Sequence, residues 1–209
     1  MKLPTPKFLY FDLGNVLLFF DHKKAAAEMA AIAGWKSEAV HDFVFKTDLN
    51  HRCDGGLVDA AEFCRVFRET TGCTAEDAAI RLAASDIFRI NAPMKAIVSQ
   101  LRAAGNRLGL LSNTCDMHYD LFADGRYEPI TEAFEVVILS YKLKLMKPQP
   151  EIYLEAARQA DVAPEEIFYV DDLPSNIEGA KRVGFDAVLY TTPAAYAEEL
   201  RRRNVRFNY

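Results

Sequence analysis

Cysteine is scarce in this chain: Cys53, Cys64, Cys73 and Cys115 form no Cys-x-x-Cys pair and no Cys/His group at zinc spacing. A disulfide framework and the usual structural zinc sites are therefore excluded, and four reduced, mostly buried thiols are expected. Long apolar runs are missing as well. No stretch approaches the roughly 18–20 apolar residues needed to span a bilayer, and Met1-Lys2-Leu3-Pro4-Thr5-Pro6-Lys7 has neither the apolar core nor the cleavage site of a secretory signal. Nor is there a Lys/Arg patch interleaved with aromatics that could follow a phosphate backbone, and the formal net charge is −5. The one dense basic run, Arg201, Arg202, Arg203 and Arg206, reads as the cationic last turn of a helix. Nucleic acid and membrane are not expected partners, and the location expected is cytoplasmic. No heptad seam or long exposed apolar stretch sets an oligomeric state, so monomer and homodimer both stay open.

What is present is ordinary globular material: 209 residues, 50% hydrophobic, without internal repeats or low-complexity segments. This suffices for one large domain, or a domain with a smaller insertion, that buries a core unaided. Strand-type apolar runs stand at residues 8–11, 108–111, 136–139, 167–170 and 187–190. Beyond residue 90 they alternate with helix-type stretches at about 94–104, 115–124, 150–160, 174–183 and 194–203, the pattern of a Rossmann-like α/β core, a parallel sheet flanked by helices. Pro93 and Pro193 suit first helical turns, and Gly105 and Gly184 suit helix ends. Between the first two strands lie nearly a hundred residues without strand-like alternation. They read as helices at about 22–33, 37–46, 59–71 and 75–85. A crossover needs far fewer residues, so the excess predicts an inserted α-helical cap over residues 17–89, with residues 1–16 and 90–209 as the core.

Three strand-type runs end in polar residues: Phe11 runs into Asp12, Leu111 into Ser112-Asn113, and Val170 into Asp171-Asp172. Ligands of open parallel sheets bind outside the carboxyl ends of the strands, so this pattern gathers five polar side chains at one edge. Asp171 and Asp172 beside Asp12 repel one another unless a cation sits among them, and an all-oxygen site of this kind suits Mg²⁺. Lys147, before Pro148 and ahead of a predicted helix, can offer a fixed positive charge to a bound anion.

Asp12-Leu13-Gly14-Asn15-Val16, Leu110-Leu111-Ser112-Asn113-Thr114, Lys147-Pro148 and Tyr169-Val170-Asp171-Asp172, in this order and at these distances, resemble the four motifs of the haloacid dehalogenase superfamily of hydrolases. The likeness runs through almost the whole chain, and the insertion matches the helical cap of the family's most common subclass in position. It implies a phosphatase in which Asp12 attacks phosphorus and forms an aspartyl phosphate that water then cleaves. It further implies Mg²⁺ held by Asp12, the Gly14 carbonyl and Asp171 or Asp172. Ser112, with the Gly14 and Asn113 amides and the neighbouring Asn15, would bind the phosphoryl oxygens, and Lys147 would balance charge. The cap would open and close over a small phosphorylated metabolite.

One position departs from the pattern. Phosphatases of this superfamily usually carry a second Asp two residues after the nucleophile, as general acid and base, and here that position is Gly14. Asp21, His22 or a cap residue could take over the task. Alternatively the leaving group needs less help, as an anomeric oxygen does; the first motif is similar to that of the α-D-glucose-1-phosphate phosphatase subgroup. Two further readings stay open. A 2-haloacid dehalogenase also lacks the second Asp, although those enzymes use no metal and typically have Tyr at the position of Gly14 and Ser where Asp171-Asp172 stand. A non-catalytic regulatory protein could retain the phosphate pocket without turnover. Of the remaining signals, Arg52-Cys53-Asp54-Gly55-Gly56 reads as a cap turn, and Trp35 with Phe19-Phe20 as cap core. Phe63 and Phe67, at i and i+4, read as packing.

Overall fold

Apolar residues at every position of Phe8–Phe11 suit a strand covered on both faces, and the computed structural model places this segment, β1, at the centre of a five-stranded sheet. The structure describes residues 3–125 and 131–208; Met1, Lys2 and Tyr209, at the ends of the expected core, lie outside them. After β1 come β2 (Leu18–Phe20), α1 (His22–Ala33), α2 (Ser37–Phe45), α3 (Leu49–Asp54), α4 (Ala60–Thr71), α5 (Asp77–Ser85) and β3 (Phe88–Ile90). The chain continues through α6 (Ala92–Ala103), β4 (Leu108–Ser112), α7 (Asp116–Phe122), β5 (Val136–Leu139) and α8 (Ser140–Leu143). It ends with α9 (Pro150–Ala160), β6 (Ile167–Asp171), α10 (Pro174–Arg182), β7 (Asp186–Leu189) and α11 (Pro193–Arg202). The sheet runs β5-β4-β1-β6-β7 with every pairing parallel, the flanked parallel α/β arrangement expected.

Alternation along β1 divides the core. Leu9 and Phe11 pack with Met94, Ile97 and Leu101 of α6 and Leu200 of α11. Phe8 and Tyr10 pack on the other face with Ile152 and Ala156 of α9 and Ala180 of α10. Strand order reverses beside β1, since the chain fills β4 and β5 on one side before crossing to β6 and β7. Asp12, just past β1, therefore lies beside Asp171 at the end of β6, Phe11 being in register with Val170.

The segment between β1 and β4 has an apolar cluster of its own, including Met29, Val44, Phe63, Phe67 and Ile80 from α1, α2, α4 and α5. α1 forms where expected, because Asp21 caps its first amides and Gly34, at φ 67°, closes it in a left-handed turn. The expectation of no strand in this stretch is corrected: β2 and β3 pair antiparallel, Leu18 opposite Ile90, as a ribbon through which the chain leaves the sheet and returns. Three-residue strands are too short for alternation to register, and their pairing is a long-range event. Asn91 secures the return, its buried amide donating to the Val16 carbonyl (2.8 Å) and the Tyr190 hydroxyl (2.8 Å). Asn91→Ala should leave that carbonyl buried and unpaired. The expected loss is about 1–3 kcal/mol in urea unfolding, and an unchanged midpoint would show that the ribbon needs no such tie.

Trp35 and Phe19 are more than a third exposed instead of forming cap core. Phe19 carries the Arg89 guanidinium over its ring, and the Trp35 indole donates to the Thr71 carbonyl. Phe63 and Phe67 are buried as expected, and all four cysteines are buried and free. Of the basic run, Arg201 and Arg202 end α11, but Arg203 is buried, paired with Asp186 and Glu199 and lying over the Phe168 ring. Among the described residues no helix is long and apolar enough to cross a membrane.

Candidate active site

The carboxyl edge of the sheet opens into a cavity of about 310 Å³ lined from the core by Asp12, Gly14, Asn15, Ser112, Asn113, Lys147 and Asp172. At its base is a buried charge cluster. The Lys147 ammonium donates to Asp12 Oδ1 (2.7 Å), Asp171 Oδ2 (2.7 Å) and the Leu111 carbonyl (3.0 Å). Two hydrogen bonds between Asn113 and the Lys147 backbone, amide to carbonyl and N–H to side-chain oxygen, both 2.9 Å, fix where that lysine starts. Burial alone would lower the lysine's pKa, but Asp12 and Asp171 raise it, so the ammonium stays charged.

The two aspartates of the pair differ sharply. Asp171 is fully buried and does not line the cavity. Its carboxylate accepts from Lys147, Tyr169 OH, the Asn176 amide and the Leu173 N–H, and these donors outweigh burial and hold its carboxyl below the ordinary range. Asp172 faces the cavity, and burial pushes it up against the opposing hydrogen bond from Asn15 Nδ2 (2.9 Å). Burial also raises Asp12, with Lys147 opposing and Asp171 adding to the rise. Carboxylate oxygens of Asp12, Asp171 and Asp172 lie within 4.8 Å of one another. One ammonium against three carboxylates leaves excess negative charge in an all-oxygen setting, which fits a hard divalent cation.

Asn15 sits at φ 54°, a left-handed conformation that Asn tolerates, with its N–H on the Leu18 carbonyl. Its backbone N–H is thus engaged with Leu18 and its side-chain amide with Asp172, and the residue lines the cavity. Ser112 is buried at the end of β4 and lines the cavity, as does Asn113, whose side chain is engaged with the Lys147 backbone.

The helical segment adds His22 from α1, Asn50, His51 and Asp54 from α3, and Phe20 from β2; His118 enters from α7. His22 stacks on Phe45 (4.2 Å between ring centroids), and burial lowers its pKa. Asp21 caps α1 and is not among the lining residues. The turn expected at 52–56 begins as the end of helix α3, which brings Asp54 to the cavity. From the sequence, Asp54 stands only within a cap turn and His118 only as a lone histidine of structural or solvated type. The Gly55-Gly56 break was the one available signal for the first, and a lone His three residues after Cys115 offered none for the second.

Residues 7–184 match the family model of haloacid dehalogenase-like hydrolases. The chain is 25% identical over 203 residues to a D-ribitol-5-phosphate phosphatase of Bacteroides thetaiotaomicron, covering 93% of this chain and 96% of that protein. It is 24% identical to a sesquiterpene phosphatase of Aspergillus oryzae, covering 95% and 96%. A wild-type HAD family enzyme of B. thetaiotaomicron, solved with magnesium and inorganic phosphate, is similar in structure with TM-score 0.78 at 28% identity, over 89% of this chain and 94% of that one.

Proposed function

The chain belongs to the haloacid dehalogenase-like hydrolase family, and from that we propose that it is a magnesium-dependent phosphatase hydrolysing a small phosphomonoester, sugar phosphates favoured, through an aspartyl phosphate on Asp12. The observation that carries this reading is the Asp12 carboxylate at the mouth of β1, hydrogen-bonded to Lys147 and facing a cavity with Ser112 and Asp172. Phosphatases among its relatives and a structural neighbour solved with magnesium and phosphate support it.

Asp12, Asp172 and the Gly14 carbonyl would hold Mg²⁺, with Asp171 reinforcing the site from behind through Lys147. Bound there, the ion would shield the anionic nucleophile from the anionic substrate and steady charge on the phosphoryl group. The free oxygen of Asp12 attacks phosphorus while Lys147 orients the carboxylate and balances its charge. The Ser112 hydroxyl and the Gly14 and Asn113 amides hold phosphoryl oxygens, and the helical cap over residues 17–89 excludes bulk water during transfer. Among the described residues Lys147 is the only Lys or Arg lining the cavity. A substrate with a second phosphate or carboxylate would lack a cation there, whereas Asn50, His51 and Asp54 offer hydrogen bonds suited to hydroxyl groups.

The test is phosphate release from sugar phosphates, nucleotides and p-nitrophenyl phosphate, with and without Mg²⁺. Mg²⁺-dependent release, with sugar monophosphates turned over faster than nucleoside di- and triphosphates, is the expected result. Silence on every ester, with halide released from 2-haloacids, would replace the reading with a dehalogenase.

A further inference from the structure

We propose that Asp54, the last residue of helix α3, is the general acid and base of this reaction, supplying from the cap what Gly14 lacks; the inference rests on the phosphatase reading above. Position 14 cannot readily hold the group itself. A Cβ there would lie 2.9 Å from Cε1 and 3.4 Å from Cδ1 of Phe20, whose ring fills the space into which a side chain would grow.

Among the described residues the carboxylates lining the cavity are Asp12, Asp172 and Asp54. Asp12 is the nucleophile and Asp172 belongs to the magnesium set, so Asp54 is left. Three other candidates do less well. Asp21 is committed to the Lys23 and Lys24 amides. Burial holds His118 down at about 4 and lowers His22, so near neutral pH both rings lack the extra proton an acid must give.

Asp54 is placed for the task by contacts with the core as well as with the cap. Its carbonyl accepts from the hydroxyl of fully buried Ser140 (2.6 Å), which accepts in turn from the Thr114 N–H, just past the Ser112-Asn113 pair. The following glycines let the turn lie close against the chain leading to Lys147. A Cβ at Gly56 would stand 2.2 Å from the Tyr141 carbonyl oxygen, and one at Gly55 3.3 Å from Met146 Sδ. The proton-carrying end meets few polar partners. Oδ2 accepts from Asn50 Nδ2 (3.1 Å), and Cys115 Sγ and a His118 ring nitrogen approach a carboxylate oxygen within 4.8 Å. Burial, opposed only by the Asn50 hydrogen bond, pushes this carboxyl up to about 7, where it can both give and take a proton at neutral pH.

The steps balance. As the Asp12–phosphorus bond forms and the ester bond breaks, the ester oxygen takes the proton of Asp54 and leaves as the alcohol. Asp54, now a carboxylate, accepts a proton from the water that attacks phosphorus, and the phosphorus–Asp12 bond breaks to release phosphate. The enzyme returns to its starting charge.

The experiment compares wild type with Asp54→Asn on an alkyl phosphate, which needs protonation to leave, and on p-nitrophenyl phosphate, which does not. For the alkyl ester kcat/KM should fall about 10²–10⁴-fold. For the aryl ester the variant should release a burst of nitrophenolate near one equivalent and then turn over slowly, because water activation has lost its base; the burst also shows that the variant folds with Asp12 intact. Alkyl turnover within about threefold of wild type would overturn the proposal. So would an equal loss on both esters without a burst, which is what a structural role predicts. Wild type inactive on both esters overturns the phosphatase reading itself, so the two failures are distinguishable.

Discussion

Asp12→Asn should abolish phosphate release, a fall of about 10⁴-fold or more in kcat, because a neutral amide cannot attack phosphorus and the neighbouring carboxylates are engaged. Asp172 faces the same cavity but is held by Asn15, and Asp171 is enclosed by four donors. A loss smaller than about tenfold in phosphate release would assign the nucleophile elsewhere. The substitution should leave the fold intact, since Lys147 keeps Asp171 as a partner. It should also reveal what the buried Asp12 carboxylate costs. Burial raises the Asp12 carboxyl above its ordinary value in the folded state, so its contribution to stability is present below the unfolded value and lost as pH rises through the folded one. In metal-free buffer the Asn variant should therefore unfold at higher urea than wild type at pH 8, with the margin shrinking toward pH 4. A variant less stable than wild type at pH 8 would mean that the Asp12–Lys147 ion pair outweighs desolvation.

Lys147→Met should damage both stability and activity. The ammonium is 4% exposed as a residue and pairs with two buried carboxylates at 2.7 Å, so its removal strands their charge. Breaking a buried pair in this way costs about 3–5 kcal/mol, roughly 10 °C in Tm for a chain of this size. Without their counter-charge both aspartates titrate higher in the folded than in the unfolded state. Their contribution is then lost as pH rises, and the deficit should be largest at neutral pH and above and smallest near pH 4. Phosphate release should fall at least about 10²-fold, because Asp12 loses its orientation as well as its counter-ion. Thermal unfolding across pH checks the first part; a Tm within about 2 °C of wild type at pH 7.5 would show that the cluster relaxes or takes in water.

The segments legible in the chain were those whose surroundings are set within a few residues. β5 at Val136–Leu139 and α9 at Pro150–Ala160 begin and end where an apolar run or a helical period does. Asp12, Ser112, Asn113, Asp171 and Asp172 could be placed at one edge because a parallel sheet aligns its strand ends whatever lies between them, whereas Lys147 joined them only through the likeness to the family's motifs. Much less legible were features whose partners are distant. β2 and β3 meet across some seventy residues, Arg203 finds Asp186 on another element, and Asp54 reaches the cavity because Ser140 and Tyr141 receive the turn after α3.

The division within the acidic pair shows the same limit. The sequence by itself determined the parallel α/β core, the helical insertion and a cluster of carboxylates, since these follow from periodicity and from residue types at strand ends. Only the tertiary structure decided that Asp171 is enclosed with Lys147 while its neighbour Asp172 faces the cavity, that Phe20 closes the space over Gly14, and that Asp54 stands where it does. Adjacent residues at the end of a strand point in different directions, and what each one meets is set by elements that packing brings from far along the chain.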